Sequence, residues 1–478
     1  MKKYRCKICG QIIEIDDINN TTKCPICGAD VSFLEEVEVL EEVKKIEGPI
    51  PIDDDNFSIM RIKEKCINCG LCSKICQDRV GVFYNPAKAK SAVCLNCGQC
   101  IINCPVGAIV PKYCYKKVFD YIKDTNKTVV CYVAPAVRVA LGDEFGIDAG
   151  INVEKKMVTA LKKLGFNYVF DVTFGADLTI MEEASELIER IKSAKNLPQF
   201  TSCCPSWVKY AEIYHPEILN NLSTCKSPIG MQGTIVKNYF ANMMEIDKEN
   251  IITVAITPCT AKKSEIERSM INDTDYVITT TELAMLLREN EIDLRNLEEN
   301  SFDKIMEKGS GGGIIFGNSG GVMESALRCA YYFITKKDPT DKFLEYNELR
   351  GYEEVKEASV VIGDITLKVL VCYGMKNIEK LISTGDYKKY DFIEVMNCPG
   401  GCVGGGGQPL KVISKQKEII ASRIEGLYNI DKNLNVRYCY KNQDIIDIYN
   451  SYLEYPLSNK AKELLHTNYE NKSGILGD

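Results

Sequence analysis

The strongest constraint in this sequence is a spacing written twice. Cys66-x-x-Cys69-x-x-Cys72-x-x-x-Cys76 is followed by Cys94-x-x-Cys97-x-x-Cys100-x-x-x-Cys104-Pro105. Thiolates are soft ligands that suit iron–sulfur clusters and zinc, so the segment is expected to fold around metal. The 23 cysteines of the 478 residues are mostly bunched in Cys-x-x-Cys pairs. The start, Met1-Lys2-Lys3-Tyr4-Arg5-Cys6, leads into polar residues without a signal-peptide core. A cytoplasmic location follows as an expectation, and in a reducing compartment cysteines serve metal sites rather than disulfides. Histidine occurs only at His215 and His466, which rules against a His-rich zinc or copper site and against histidine acid–base catalysis. The chemistry must therefore run on thiolates, carboxylates and an inorganic cofactor. A net charge of -7 opposes nucleic-acid binding, which needs a basic face. No apolar run approaches the roughly 18 residues that span a bilayer, so no membrane partner is expected.

The duplicated spacing resembles that of bacterial ferredoxins with two 4Fe-4S clusters. In that pattern three cysteines of one loop cap a cube face and the fourth ligates the other cluster. The resemblance implies one cluster on Cys66, Cys69, Cys72 and Cys104, and a second on Cys94, Cys97, Cys100 and Cys76. Gln77 stands where proline is usual after the fourth cysteine of the first motif, which alters the turn but not the ligands. Each cluster is a one-electron relay, so the module is a wire. Ahead of it, Cys6-x-x-Cys9-Gly10 and Cys24-Pro25-Ile26-Cys27-Gly28 form two knuckles suited to one tetrahedral iron or zinc, in a domain too small to fold without it. With Tyr4 before and Phe33 after, the segment resembles the short rubredoxin-like domains attached to rubrerythrins, which favours iron. A structural zinc ribbon is the alternative. Residues 41–60, with Glu41, Glu42 and Asp53 to Asp55, read as an acidic linker.

From about residue 126 onward, short apolar runs alternate with amphipathic patterns. Val129 to Val133, Tyr168 to Val172, Ile251 to Ile256, Val369 to Cys372 and Phe392 to Met396 read as strands. Glu154 to Leu164, Leu178 to Ala194, Thr281 to Glu289 and Met323 to Phe333 read as helices. The fold class is α/β multidomain, with parallel sheets flanked by helices and the ligand site beyond the carboxyl ends of the strands. The expected domains are 1–40 (metal knuckles), 41–60 (linker), 61–115 (ferredoxin-like), 126–410 (catalytic) and 411–478 (a C-terminal region completing it). Three strand-end positions carry cysteine: Cys203-Cys204-Pro205, Cys259, and Cys398 with Cys402. Thiolates from three strand ends plus Cys402 could converge on one further cluster. The stretch Met396-Asn397-Cys398-Pro399-Gly400-Gly401-Cys402 and the run Gly404 to Gly407 would let backbone approach that cluster closely.

Thr201-Ser202-Cys203-Cys204-Pro205-Ser206-Trp207, Thr257-Pro258-Cys259-Thr260-Ala261-Lys262 and Glu394 to Cys402 resemble, in order, the three signature segments of the iron-only, or FeFe, hydrogenases. Ala134-Pro135-Ala136-Val137-Arg138, Phe174-Gly175-Ala176-Asp177 and Gly311 to Leu327 extend the resemblance. The tail from Arg423 to Tyr469 is similar to the family's small-subunit region. The resemblance implies that Cys204, Cys259, Cys398 and Cys402 hold the cubane of an H-cluster. Cys402 would bridge to a di-iron subsite carrying carbon monoxide, cyanide and azadithiolate. Lys262 would donate to a cyanide, and Ala134, Pro135, Thr257, Phe316 and Met396 would line the cofactor. It implies a proton relay through Cys203, Glu183, Ser223, Glu186 and Arg190. Dihydrogen and protons become the substrates, a ferredoxin-like carrier the electron partner, and hydrogenase maturation proteins the source of the subsite.

Two positions depart from the family: Thr257 where methionine is common, and Ala136 where serine is common. They point to a divergent subgroup. Without the family, Glu186 and Arg190 would read as an ordinary surface ion pair. The glycines from Gly309 to Gly321 are not followed by Gly-Lys-Ser/Thr, so a nucleotide loop is excluded and close packing near the cofactor accounts for them better. Cys114, Cys131, Cys225, Cys329, Cys372 and Cys439 are isolated and read as small buried hydrophobes. Two other activities remain open: a slow-turnover hydrogen sensor, and a hydrogenase-like iron–sulfur assembly or electron-transfer protein. The assembly class should lack the complete Cys203-Cys204-Pro205 segment and Lys262, both present here.

Overall fold

The computed structural model describes residues 2–6, 12–15, 18–24, 29–36, 48–50, 52–80, 93–340, 345–410 and 413–476. They divide into two compact units, Met1–Gly48 and Pro49–Asp478.

In the first unit, strand β1 (Lys2–Cys6) lies between β2 (Ile12–Ile15) and β3 (Leu34–Glu36), antiparallel to both. Among the described residues of this unit, Tyr4, Ile15 and Cys24 are buried together, with Ile18, Ala29 and Leu34 packed against them. Cys6 ends β1 opposite Leu34. Cys9 and Cys27 lie outside the described residues.

The second unit begins earlier than the sequence suggested. Residues 49–60, expected to be linker, fold into the cluster module. Asn56, Ser58 and Ile59 are buried, and β4 (Ile59–Arg61) pairs antiparallel with β5 (Ile109–Pro111). Of the expected linker, residues 41–47 lie outside the described residues. Acidic composition was misleading because Ile50, Ile52 and Ile59 supply apolar contacts to the cysteine loops.

Beyond the module lie two four-stranded sheets. In the first, β6 (Thr128–Val133) is central, with β7 (Tyr168–Asp171) on one side and β9 (Ile251–Thr257) then β10 (Tyr276–Thr279) on the other, all parallel. Val130 and Tyr132 enter one core and Val129, Cys131 and Val133 the other. Burial on both faces is what an all-parallel sheet requires. The second sheet has the order β11 (Val355–Ile362), β12 (Ile365–Tyr373), β13 (Phe392–Met396) and β8 (Gln199–Phe200). Its last three strands are parallel. Strand β11 was not anticipated; it runs antiparallel to β12 through the two-residue turn Gly363-Asp364, with Ile362 opposite Ile365. Gly363 has φ +60°, the left-handed conformation such tight hairpins need.

The four expected helices are present, alongside others the sequence reading did not name, such as Pro205–Tyr214 and Gln416–Asn433. The helix expected from Leu178 begins at Val172 and runs to Ser193, capped by the Asp171 carboxylate, which accepts from the Thr173 N–H. Val172, Thr173 and Gly175 are weak helix formers, so the first turn was not apparent from propensity. Burial holds it. A Cβ on Gly175 would stand 2.3 Å from the Pro228 carbonyl oxygen of a neighbouring helix. Among the described residues no helix is long and apolar enough to cross a membrane.

Candidate metal centre

The two sheets present their carboxyl ends to one place. Cys259 follows β9 of the first sheet by two residues; Cys398 follows β13 and Cys203-Cys204 follow β8 of the second. Each arrives for a local reason. Cys204 is the N-cap of the helix Pro205–Tyr214, with proline at the first helical position, where its missing N–H costs nothing. The Thr257 hydroxyl accepts from the Cys259 N–H (3.3 Å) and donates to its carbonyl (3.0 Å), fixing the turn that presents that thiol. Between Cys398 and Cys402 the chain reverses through Gly400 and Gly401, at φ +70° and +99°. A Cβ on Gly401 would fall 2.5 Å from the Ser319 nitrogen.

The four thiols form one electrostatic set. Burial pushes Cys259 up to about 11, with the Cys204 thiol adding to it. Cys398 and Cys402 are pushed up by burial first and then by Cys259, Cys204 and, for Cys398, Cys402. Burial raises Cys204 as well, while the N–H groups of Trp207, Asn397 and Ser206 oppose it by donating toward its sulfur. The Ala261 and Lys262 N–H groups do the same for Cys259. Backbone donors aimed at sulfur favour thiolate, and an all-sulfur donor set suits an iron–sulfur cluster or zinc and not a hard cation. The residues therefore fit a thiolate-bound cluster.

Lys262 is 9% exposed and reaches over this set. Its ammonium donates to the Cys203 carbonyl (3.0 Å) and to both oxygens of Glu265 (2.8 and 3.0 Å). Burial would lower its pKa, yet the Glu265 carboxylate outweighs burial and holds it above its ordinary value. It stays a cation. Ala134 and Pro135 follow β6, and Thr257 and Met396 end β9 and β13. Ala136 is fully buried, its carbonyl accepting from the Gln408 amide at 3.1 Å. Phe316 is buried in the same core as Met396.

The expected relay residues come together in order. Cys203 is half-buried, and its thiol is pushed well up, by burial first and then by Glu183. Glu183 is 1% exposed with one carboxyl oxygen lacking a partner. Burial, then the Glu186 charge, raise it to about 8, while the Ser223 hydroxyl pulls the other way. Ser223 donates to Glu186 (2.8 Å), and Arg190 donates to the other Glu186 oxygen (2.7 Å). Glu186 and Arg190 are each only 8% exposed, so the surface-pair reading fails; Arg190 is also tied to the Leu222 carbonyl at 2.7 Å.

Sequence reasoning missed what flanks this line. Thr224 bonds Glu186 through its N–H (3.1 Å) and hydroxyl (3.2 Å), and the same hydroxyl meets His466 Nδ1 at 2.7 Å. The other His466 nitrogen meets buried Glu182 at 3.1 Å. No spacing could have joined residues 242 positions apart. Five of the isolated cysteines are buried as expected. Cys114 is only half-buried, donates to the Val277 carbonyl (3.0 Å) and lies 3.3 Å from the Lys263 ammonium.

The cluster module abuts this centre. Pro49, Cys66, Cys69, Cys72 and Cys104 line one small cavity. Burial raises the Cys76 and Cys100 thiols, and the neighbouring Cys97, Cys94 and Cys72 push both further up. Cys97, pushed by burial to about 12, also feels Cys259, and Cys398 feels Cys97. In the glycine run, Cβ atoms on Gly405 and Gly406 would sit 2.3 Å from the Pro258 carbonyl and 2.4 Å from the Cys97 carbonyl, the backbone beside Cys259 and Cys97. Among the glycines from Gly309 onward, a Cβ on Gly313 would stand 2.6 Å from the Thr173 carbonyl oxygen.

Comparison with known proteins agrees with this geometry. Residues 127–406 match the family model for the iron-only hydrogenase large subunit, C-terminal domain. Residues 417–472 match that of the iron hydrogenase small subunit. The chain is 40% identical over 444 residues, 88% of its length and 77% of the relative's, to iron hydrogenase 1 of Clostridium pasteurianum. A probable cytosolic Fe-S cluster assembly factor of Dictyostelium discoideum is 32% identical over 445 residues, 79% of this chain and 84% of that one. The apo FeFe-hydrogenase structure from Chlamydomonas reinhardtii superposes with a TM-score of 0.66 at 38% identity, covering 74% of this chain and 98% of that one. With the family model spanning well over half of the sequence, the chain belongs to the iron-only hydrogenase family.

Proposed function

We propose that this enzyme interconverts dihydrogen with protons and electrons at an H-cluster held by Cys204, Cys259, Cys398 and Cys402, with Cys402 joining the cubane to its di-iron subsite. The convergence of those four thiols beside Cys203 and Glu183, with Cys97 in electrostatic reach, carries the proposal. When bound, the cofactor supplies heterolytic cleavage of dihydrogen and its reverse, chemistry no side chain here can perform. The chain's residues place charge and move protons. Lys262, held cationic, stands where an anionic cyanide ligand would be balanced. The Cys203 thiol holds a proton at Sγ. Glu183, neutral near pH 7, passes protons toward the Ser223 hydroxyl and Glu186, with Arg190 fixing the outer carboxylate.

Cys94, Cys97, Cys100 and Cys76 would hold one 4Fe-4S cluster and Cys66, Cys69, Cys72 and Cys104 another, supplying one-electron relays toward a ferredoxin-like carrier. The knuckles Cys6, Cys9, Cys24 and Cys27 would hold iron or zinc, in a cytoplasmic protein whose subsite would come from maturation proteins. An assembly role is disfavoured by the complete Cys203-to-Arg190 relay, which cluster transfer does not need.

The test is maturation followed by infrared spectroscopy and dihydrogen evolution from a reduced low-potential donor. Carbonyl and cyanide bands with turnover are expected, and Cys203→Ala should lower turnover by at least about 100-fold. Bands without turnover sink the enzyme reading, and absent bands sink the cofactor assignment. The relay adds a pH signature. Glu183 keeps its proton to about 8 in the fold, against an ordinary 4.5, so between those values the folded state binds more protons than the unfolded chain. Stability then falls as pH rises through that window, by at most about 1.4 kcal/mol per pH unit. Glu183→Gln should flatten the fall, read as denaturation midpoints from pH 5 to 8. An unchanged slope would show that Glu183 is ionised in the fold.

A further inference from the structure

Asn397 stands between the two sulfur sets and has no structural account of its own. It is 3% exposed, yet neither its side-chain nitrogen nor its oxygen has a hydrogen-bond partner. A buried, unpaired amide is costly, so a protein that keeps one is expected to use it. Its surroundings indicate how. The side chain lies beside Cys97 without a completed hydrogen bond to it and favours that group's thiolate, as its backbone N–H does for Cys204. The next residue is Cys398. One residue thus addresses a ligand of the inner relay cluster with its side chain and a ligand of the catalytic cubane with its main chain. The loop bearing Cys97 is tied to the catalytic unit: Thr260 donates to the Asn96 carbonyl (2.6 Å) and the Gln99 amide to the Gly404 carbonyl (3.0 Å).

We infer that the Asn397 amide is a hydrogen-bond donor to sulfur of the inner relay cluster, and that it raises that cluster's reduction potential toward the one favouring electron exchange with the catalytic site. The inference rests on the cluster assignment proposed above. The physics is general: a donor to a cluster's sulfur offsets the negative charge that reduction adds, and so favours the reduced form. The carboxamide suits this because it adds a dipole without adding charge.

The test is a potentiometric titration of the full-length, cluster-loaded protein, followed by electron paramagnetic resonance of the reduced 4Fe-4S signals. Asn397→Ala should move the potential of one relay cluster to more negative values and leave the other unmoved. Asn397→Asp, which removes the donor and can add charge, should move the same cluster further. Asn397→Ser, which keeps a donor, should recover part of the shift. Iron and acid-labile sulfide content equal to that of the unaltered protein establishes that each variant is loaded. Both potentials unmoved in the alanine variant, or both moved equally, overturns the inference while leaving the cluster assignment intact. Absence of any reduced 4Fe-4S signal in the unaltered protein overturns that assignment and this inference with it.

Discussion

The loops Cys66-Ile67-Asn68-Cys69-Gly70-Leu71-Cys72 and Cys94-Leu95-Asn96-Cys97-Gly98-Gln99-Cys100 share one backbone in two environments. Asn68 and Asn96 both take positive φ, +55° and +61°, as do Gly70 and Gly98, at +71° and +68°. Each loop feeds a short helix, Leu71–Ile75 and Gln99–Ile102. The surroundings are opposite. Ile67 is 62% exposed, while Leu95 is 2% exposed. The Asn68 side-chain oxygen accepts from its own loop's Cys66 thiol at 3.6 Å in the open, whereas Asn96 receives Lys209 (2.7 Å) and donates to Asn56 (3.1 Å) in the interior. Ligand geometry is thus a local property of the seven residues. Among the described residues, the difference between the two loops comes from tertiary contacts that bury the second and leave the first exposed.

The largest expected difference follows from the two loop glycines. A Cβ at Gly98 would sit 2.5 Å from the Thr260 hydroxyl, itself fixed by the Asn96 carbonyl, and 3.0 Å from the Gly406 Cα. Strain from the left-handed conformation adds about 1–2 kcal/mol, and overpacking about 1–3 more. Gly98→Ala should therefore cost on the order of 4 kcal/mol and slow electron delivery to the catalytic site, seen as lowered dihydrogen evolution at full iron content. Gly70→Ala, in the half-exposed loop at the same left-handed φ, should incur the conformational cost. Equal shifts in denaturation midpoint would show that the second loop is not held by the catalytic unit.

What the sequence made legible, and what it hid, divides the same way. Ligand spacings, the strand ends bearing Cys259 and Cys398, and the helices with clear apolar periodicity depend on neighbours within a few residues, and all could be read directly. The environment of each element could not. The Glu186–Arg190 pair has surface spacing, yet Leu222 and Thr224, more than thirty residues on, bury it. Val172 to Gly175 lack helix propensity, and it is tertiary packing that makes them the first turn of a helix. Residues 49–60 carry acidic linker composition but contribute Ile50, whose N–H lies 3.3 Å from the Cys72 sulfur. Asn397 carried no expectation of its own in the sequence; the fold brings it beside Cys97, three hundred residues away.

The finest division between the loops lies in their apolar residues, Ile67 and Leu95, at the same position in each. Leu95 packs with Phe200, Trp207 and Ile393, and its carbonyl accepts from the Ser206 hydroxyl at 2.9 Å. Leu95→Ala should cost about 3 kcal/mol, as truncations in a well-packed core do. Ile67→Ala should change stability by no more than about 0.5 kcal/mol, because its side chain is already in water. An exposed apolar side chain next to exposed Cys69 is instead suited to contact with an electron carrier. Ile67→Lys should raise the KM for a reduced ferredoxin while leaving turnover with a small, soluble viologen donor unchanged. A KM that does not move would place carrier docking elsewhere; a loss of viologen-driven turnover would mean that Ile67 supports the cluster itself and that the outer loop is not as independent as its exposure implies.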